Sequence, residues 1–171
     1  MFQNPVNTIG GTLLIKQIQQ FFNLSWFEQR LFIIVLFLTG IVRLSILFLP
    51  FRWLGPVLGG LMQESQATEE KVNVDKAKQI GKMVERVSRY TPWESKCLVQ
   101  ALVGKILLRR QGITNTLYLG VGRDERNALI AHAWLRCGEI ILTGGKGRER
   151  FTVVSKFADC AAGEETRDFR V

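Results

Sequence analysis

Residues 95–122, SKCLVQALVGKILLRRQGITNTLYLGVG, change their hydrophobic period partway through, and that change decides the fold. In the first half Leu98, Leu102 and Ile106 recur every four residues and Ala101 joins their face, the spacing of an amphipathic helix. Ser95 is placed to cap it and Gly112, after a double arginine, to stop it. Cys97 therefore falls in the first turn. Beyond Gly112 the segments TNTLYLGVG, ALIAHAWLRC and EIILTGG are short and rich in β-formers, separated by the turn-forming RDERN and by Gly138. A helix followed by an antiparallel meander is an α+β arrangement, with one more strand expected near Phe151–Ser155 and a polar tail over 158–171.

Upstream lies NLSWFEQRLFIIVLFLTGIVRLSILFLPFRWLGPVLGG. Ser25 with Glu28 three residues on is a capping box, so a helix is expected to begin near Trp26 and to stop at Pro50. Arg43 is the only charge between Leu31 and Leu49. The segment reads either as a helix buried in the fold or lying on a membrane surface, or as a single pass through 31–49; an arginine near the centre of a span costs about 3 kcal/mol on insertion scales. Residues 1–62 are thus an apolar helical segment and 63–74, polar and without period, a linker. From Asp75, a plausible cap, Ala77, Ile80, Val84 and Val87 share a helical face opposite lysines and arginines, until Pro92. The catalytic core is expected over 75–157.

The 171 residues carry a formal charge of +8, unevenly: residues 75–171 hold 18 Lys and Arg against 11 Asp and Glu. Such a surface favours anionic company without choosing among acidic peptide, phospholipid and nucleic acid. Three cysteines, an odd number with no Cys-x2-4-Cys pair, argue against a disulfide framework or zinc ribbon and for a reduced, cytoplasmic setting. GVGRDERN lacks the Gly-Lys-Ser/Thr ending of a phosphate loop.

His132 is the only histidine, so a neutral-pH base other than a strongly perturbed group must be this ring. Alternation puts Ile130, His132 and Trp134 on one face of their strand, and Leu129, Ala131, Ala133 and Leu135 on the other, core-like face. Cys97 is the matching nucleophile: free N–H groups at a helix start stabilise negative charge, and Lys96 adds to that field. Cys137, an odd five residues after His132, points to the opposite face, and Cys160 has no helix start beside it. The plainer alternative is a small buried thiol and a satisfied core histidine.

The run PWESKCLVQALVGKILLRRQGITNTLYLGVGRDERNALIAHAWLRCGEIILTGG, residues 92–145, resembles the transglutaminase-like cysteine peptidases that remove the leader from lasso-peptide precursors. Pro-Trp before Ser-Lys-Cys-Leu, Leu-Leu-Arg-Arg before Gly112, Tyr-Leu-Gly-Val, Ala-His-Ala-Trp and a closing Thr-Gly-Gly carry the likeness, which extends upstream through Arg43 and Leu49–Arg52. The resemblance implies a transglutaminase-like or papain-like core, a helix bearing cysteine packed on a small antiparallel sheet. It implies Cys97 as nucleophile and His132 as general base and then acid. It also implies a lasso precursor as substrate, a separate small leader-recognition protein and an ATP-dependent cyclase as partners, and no nucleic acid. Some members show ATP-dependent processing, although no nucleotide motif here supports a cofactor. An amine acyltransferase using the same pair, and a non-catalytic leader-binding or membrane-associated scaffold, are the alternatives.

The third member of the triad is the departure. A tight hairpin at Cys137–Gly138 is expected to set Thr143, Gly144 or Gly145 opposite His132, none of them acidic, while Glu139 lies roughly 13 Å along the strand. The Thr143 hydroxyl, a backbone carbonyl or a residue from elsewhere would have to orient the ring.

Overall fold

The computed structural model describes residues 25–50, 53, 55–66, 70–93 and 96–159. Helix α1 (Trp26–Phe48) starts on the expected capping box, with the Ser25 side chain accepting from Glu28 N and the Glu28 carboxylate accepting from Ser25 N, and ends two residues before Pro50. A short helix α2 (Gly55–Leu58) and a two-residue strand β1 (Gly60–Leu61) follow. Helices α3 (Lys71–Ser88) and α4 (Cys97–Arg110) precede strands β2 (Asn115–Arg123), β3 (Leu129–Cys137), β4 (Ile140–Thr143) and β5 (Thr152–Asp159).

The five strands form one antiparallel sheet in the order β1-β5-β2-β3-β4. The meander expected from the change of period is its β2-β3-β4 half, and β5 returns to pair with β2 on the other side. On one face Leu117, Ala133, Leu135, Cys137, Leu142 and Phe157 meet Val99, Leu102 and Val103 of α4 and Ile80, Val84 and Val87 of α3 in a single core. Packing is close where α4 crosses the sheet: a Cβ on Gly104 would lie 2.7 Å from Leu135 Cδ2. Helix α1 lies on α3 and α4, burying Val35, Thr39 and Val42. The fold is α+β.

Two boundaries differ from the sequence reading. Helix α3 begins at Lys71, with Glu70 in the cap position, so Asp75 is an interior residue paired with Lys78 at 3.7 Å and not a cap. The polar stretch read as a linker over 63–74 is also tied down at its start: Ser65 is buried, its N–H donating to Thr116 Oγ1 at 2.8 Å. KVNV is a weak helix former by itself, and it is helical because it continues a helix whose Ala77, Ile80, Val84 and Val87 are packed in the core. Ser95, Arg52, Cys160 and the tail from 160 lie outside the described residues.

Candidate active site

Cys97 is the first residue of α4. The cap position is Lys96, in extended conformation and with no side-chain bond to the helix start, so the cap expected at Ser95 falls one residue early. The leading N–H groups of a helix have no partner within it, and here no side chain at the cap takes them. The thiol is free and half-buried at the border of the core.

The sheet sets the level of that thiol. Lys105 Nζ reaches Asn115 Oδ1, the Phe157 carbonyl and Asp159, so the later half of α4 lies over the end where β2 begins and β5 finishes. Gly104 sits on Leu135. Cys97 is seven residues earlier, about 10 Å along a helix, a distance that about three residues of strand cover. The start of α4 thus lies toward the earlier part of β3, on the core face of the sheet.

His132 is half-buried and alternates away from Ala133 and Leu135, onto the outer face of the sheet. There it belongs to a row of rings: Tyr118 stacks on Trp134 with centroids 5.5 Å apart, His132 lies 5.9 Å from Trp134, and Phe151 lies 4.9 Å from His132. The residue opposite His132 on β2 is Gly120. A Cβ there would stand 2.9 Å from the Trp134 ring and 3.0 Å from Phe151 Cβ, so only glycine leaves the floor on which these rings lie. The glycines of LGVG serve this packing.

The ring's polar partner is a main-chain carbonyl: His132 Nε2 and Gly144 O are 2.8 Å apart. A carbonyl only accepts, so Nε2 carries the proton of the neutral ring and Nδ1 keeps its lone pair. Of the three options for an orienting group, the carbonyl is the one in contact. Thr143 is not: a bulge in the β3–β4 pairing sets it opposite Leu135, on the core face, and its Oγ1 is buried with no hydrogen-bond partner. The expected register is displaced by that bulge. Gly144 turns the chain with a φ of 68°, and a Cβ there would lie 2.2 Å from Ala133 O.

Among the described residues no hydrogen bond joins Cys97 to His132. Cys97 borders the core on the face of the sheet that α4 covers, whereas the His132 ring lies on the other face with Trp134 and Phe151, so the structure does not bring the two side chains together. Cys137 is buried in the core on the face opposite His132, as its odd separation requires. Sequence reasoning missed Phe151, which it took as the start of a strand, and missed the polar cluster that closes the other end of the ring row.

In that cluster Tyr118 Oη donates to Glu64, and Arg136 donates to Tyr118 Oη at 2.9 Å, to Glu64 at 3.1 Å and to the Ser65 carbonyl at 2.7 Å. Lys156 Nζ lies 2.8 Å from the other Glu64 oxygen. The Lys156 and Tyr118 hydrogen bonds hold the Glu64 carboxyl below its ordinary value, while burial and then Glu64 push the Tyr118 hydroxyl above its own. The cluster anchors residues 64–65 across the outer face.

A family model described as the transglutaminase-like superfamily matches residues 45–156, about two-thirds of the chain. That span includes Cys97, His132 and Gly144. No curated protein and no solved structure matches.

Proposed function

The chain belongs to the transglutaminase-like superfamily of generally cysteine-dependent enzymes, and on that footing we propose that it is a cysteine peptidase that cuts the leader from a ribosomally made lasso-peptide precursor. The carrying observation is a free cysteine opening the helix that packs on the strand of the chain's only histidine. In this reading His132 Nδ1 takes the Cys97 proton and the thiolate attacks the carbonyl at the leader junction. The Cys97 N–H, at the helix start, donates to the oxyanion. Collapse breaks the peptide bond, and His132 returns its proton to the leaving amine. Water then hydrolyses the thioester by the same base. With the thiol on the core face and the ring on the outer one, this reading requires the two to meet past the margin where β3 has no β4 neighbour.

The Gly144 carbonyl orients the ring in place of an acid. A carbonyl holds the tautomer but offers no full negative charge to the imidazolium. The substrate and partners come from the motif resemblance at 92–145: a lasso precursor, a small leader-recognition protein and an ATP-dependent cyclase that closes the ring on the freed core. Cys97 and Cys137 form no disulfide, which suits a reducing cytoplasm.

The test mixes purified protein, precursor and leader-recognition partner, with and without ATP, and follows peptide masses for the native chain and Cys97→Ala. Leader release by the native chain alone supports the peptidase. Capture of the acyl group by an added primary amine, in preference to water, would instead make it an acyltransferase through the same thioester. Binding without cleavage by either chain would make it a scaffold.

A further inference from the structure

Helix α1 is long and apolar enough to cross a membrane, yet its packing argues against that course. Val35, Thr39 and Val42, at the middle of the helix, are buried against α3 and α4. To span, the helix would either carry Lys71, Lys76, Lys78, Lys82 and Arg86 of α3 into hydrocarbon or leave the core it completes.

Its other side is a continuous apolar stripe. Ile33, Phe37, Ile41, Leu44 and Phe48 follow at three- and four-residue spacing, 42–79% exposed together with their neighbour Ile34. With Trp26 at its head, where Arg30 lies 4.9 Å over the ring, the stripe runs the length of the helix, about 34 Å. Trp53, 64% exposed, follows the helix end. Arg43 is half-buried off the stripe, about a third of a turn of the helix away from it.

Three observations choose the occupant. Both hydroxyls within α1 bond back to its own carbonyls, Thr39 to Leu36 at 2.8 Å and Ser45 to Ile41 at 2.9 Å, so neither is left wanting in hydrocarbon. Tryptophans stand at the ends, where an interface accommodates a ring that is apolar and also polar. Helix α3, which packs against α1, carries Lys71, Lys78, Lys82 and Arg86 on the face turned away from Ile80, Val84 and Val87.

We infer that α1 lies in the plane of an anionic bilayer, its Ile33–Phe48 stripe sunk to the boundary of headgroups and acyl chains and the cations of α3 on the lipid phosphates. The protein is monotopic, with the sheet held above the surface. This goes beyond the peptidase reading and stands or falls apart from the chemistry at Cys97.

The test uses the full chain with vesicles of phosphatidylcholine, pure or with about 30% phosphatidylglycerol, where both apolar burial and cations drive binding. The native chain is expected to sediment with the anionic vesicles, and bromine on the upper acyl carbons to quench its tryptophans. Phe37→Ser with Ile41→Ser, both exposed and outside the core, should weaken partitioning at least about tenfold, with thermal unfolding in solution unchanged. Lys78→Glu with Lys82→Glu should abolish the preference for anionic lipid. Undiminished binding by the apolar pair overturns the inference, as does failure of the native chain to bind either vesicle. A dimer in lipid-free solution, lost in the apolar pair, assigns the stripe to a second copy. Access of protease to opposite ends of α1 from opposite sides of sealed vesicles restores the span.

Discussion

At His132 a single acceptor decides what the ring can do. Gly144 O on Nε2 leaves the Nδ1 lone pair for the base role proposed, and Thr143, the residue sequence reasoning named to orient the ring, turns its hydroxyl into the core with no partner. Replacing an unsatisfied buried hydroxyl by a methyl removes a desolvation cost without opening a cavity. Thr143→Val should therefore raise stability, by about 1 kcal/mol in denaturant unfolding, and leave cleavage intact. A loss of activity in a folded Thr143→Val protein would return the hydroxyl to the site. Gly144→Ala meets both a left-handed φ and the Ala133 carbonyl. It should displace the acceptor, and in the assay of the proposed cleavage the rate should fall at least about tenfold, against little change in substrate binding.

At the scale of an element, α4 is held at both ends by different chemistry. Its start carries Cys97, and its later half is fixed by Lys105, fully buried, on Asn115 Oδ1 at 3.1 Å, Phe157 O at 3.2 Å and Asp159 at 3.0 Å. That ammonium joins the helix to β2 and β5 and so sets where the thiol stands relative to β3. Removing one partner of a buried pair leaves the other uncompensated. Lys105→Met is expected to cost about 3 kcal/mol by denaturant unfolding, with activity falling even where the variant remains folded. Nothing in the period of CLVQALVGKILLRR marks Lys105 as buried, because its partners lie 10, 52 and 54 positions away and are brought in only by the sheet.

At the scale of the molecule, the N-terminal part and the sheet are one body. Residues 60–65 pass from α2 onto the outer face, where Glu64 joins Tyr118, Arg136 and Lys156. The Lys156 and Tyr118 hydrogen bonds lower its carboxyl pKa in the folded state. A depressed carboxylate contributes fully above its unfolded value and loses that contribution as pH falls through the folded one. Melting temperature should thus drop as pH goes from about 5 to below 4, and less steeply in Glu64→Gln, which has lost the linkage already. The effect is modest, since Glu64 is 42% exposed and its pairs are screened. Equal slopes in both proteins would remove Glu64 from the acid response.

Local period determined much of this protein from its sequence alone: four-residue recurrence made α4 a helix with Cys97 in its first turn, alternation set His132 and Cys137 on opposite faces of β3, and Ser25 with Glu28 marked where α1 begins. These depend on neighbours three, four or two positions away, which the chain carries with it. Tertiary structure decided the rest. The bulge after Leu135 moved Thr143 from the ring and presented Gly144, Gly120 made room for Phe151 against His132, and the core contacts of Val35, Thr39 and Val42 packed one face of an apolar helix, long enough to cross a membrane, against α3 and α4. Each of those depends on what packs across the sheet or between helices, and strand register and helix placement are set by such contacts rather than by local spacing.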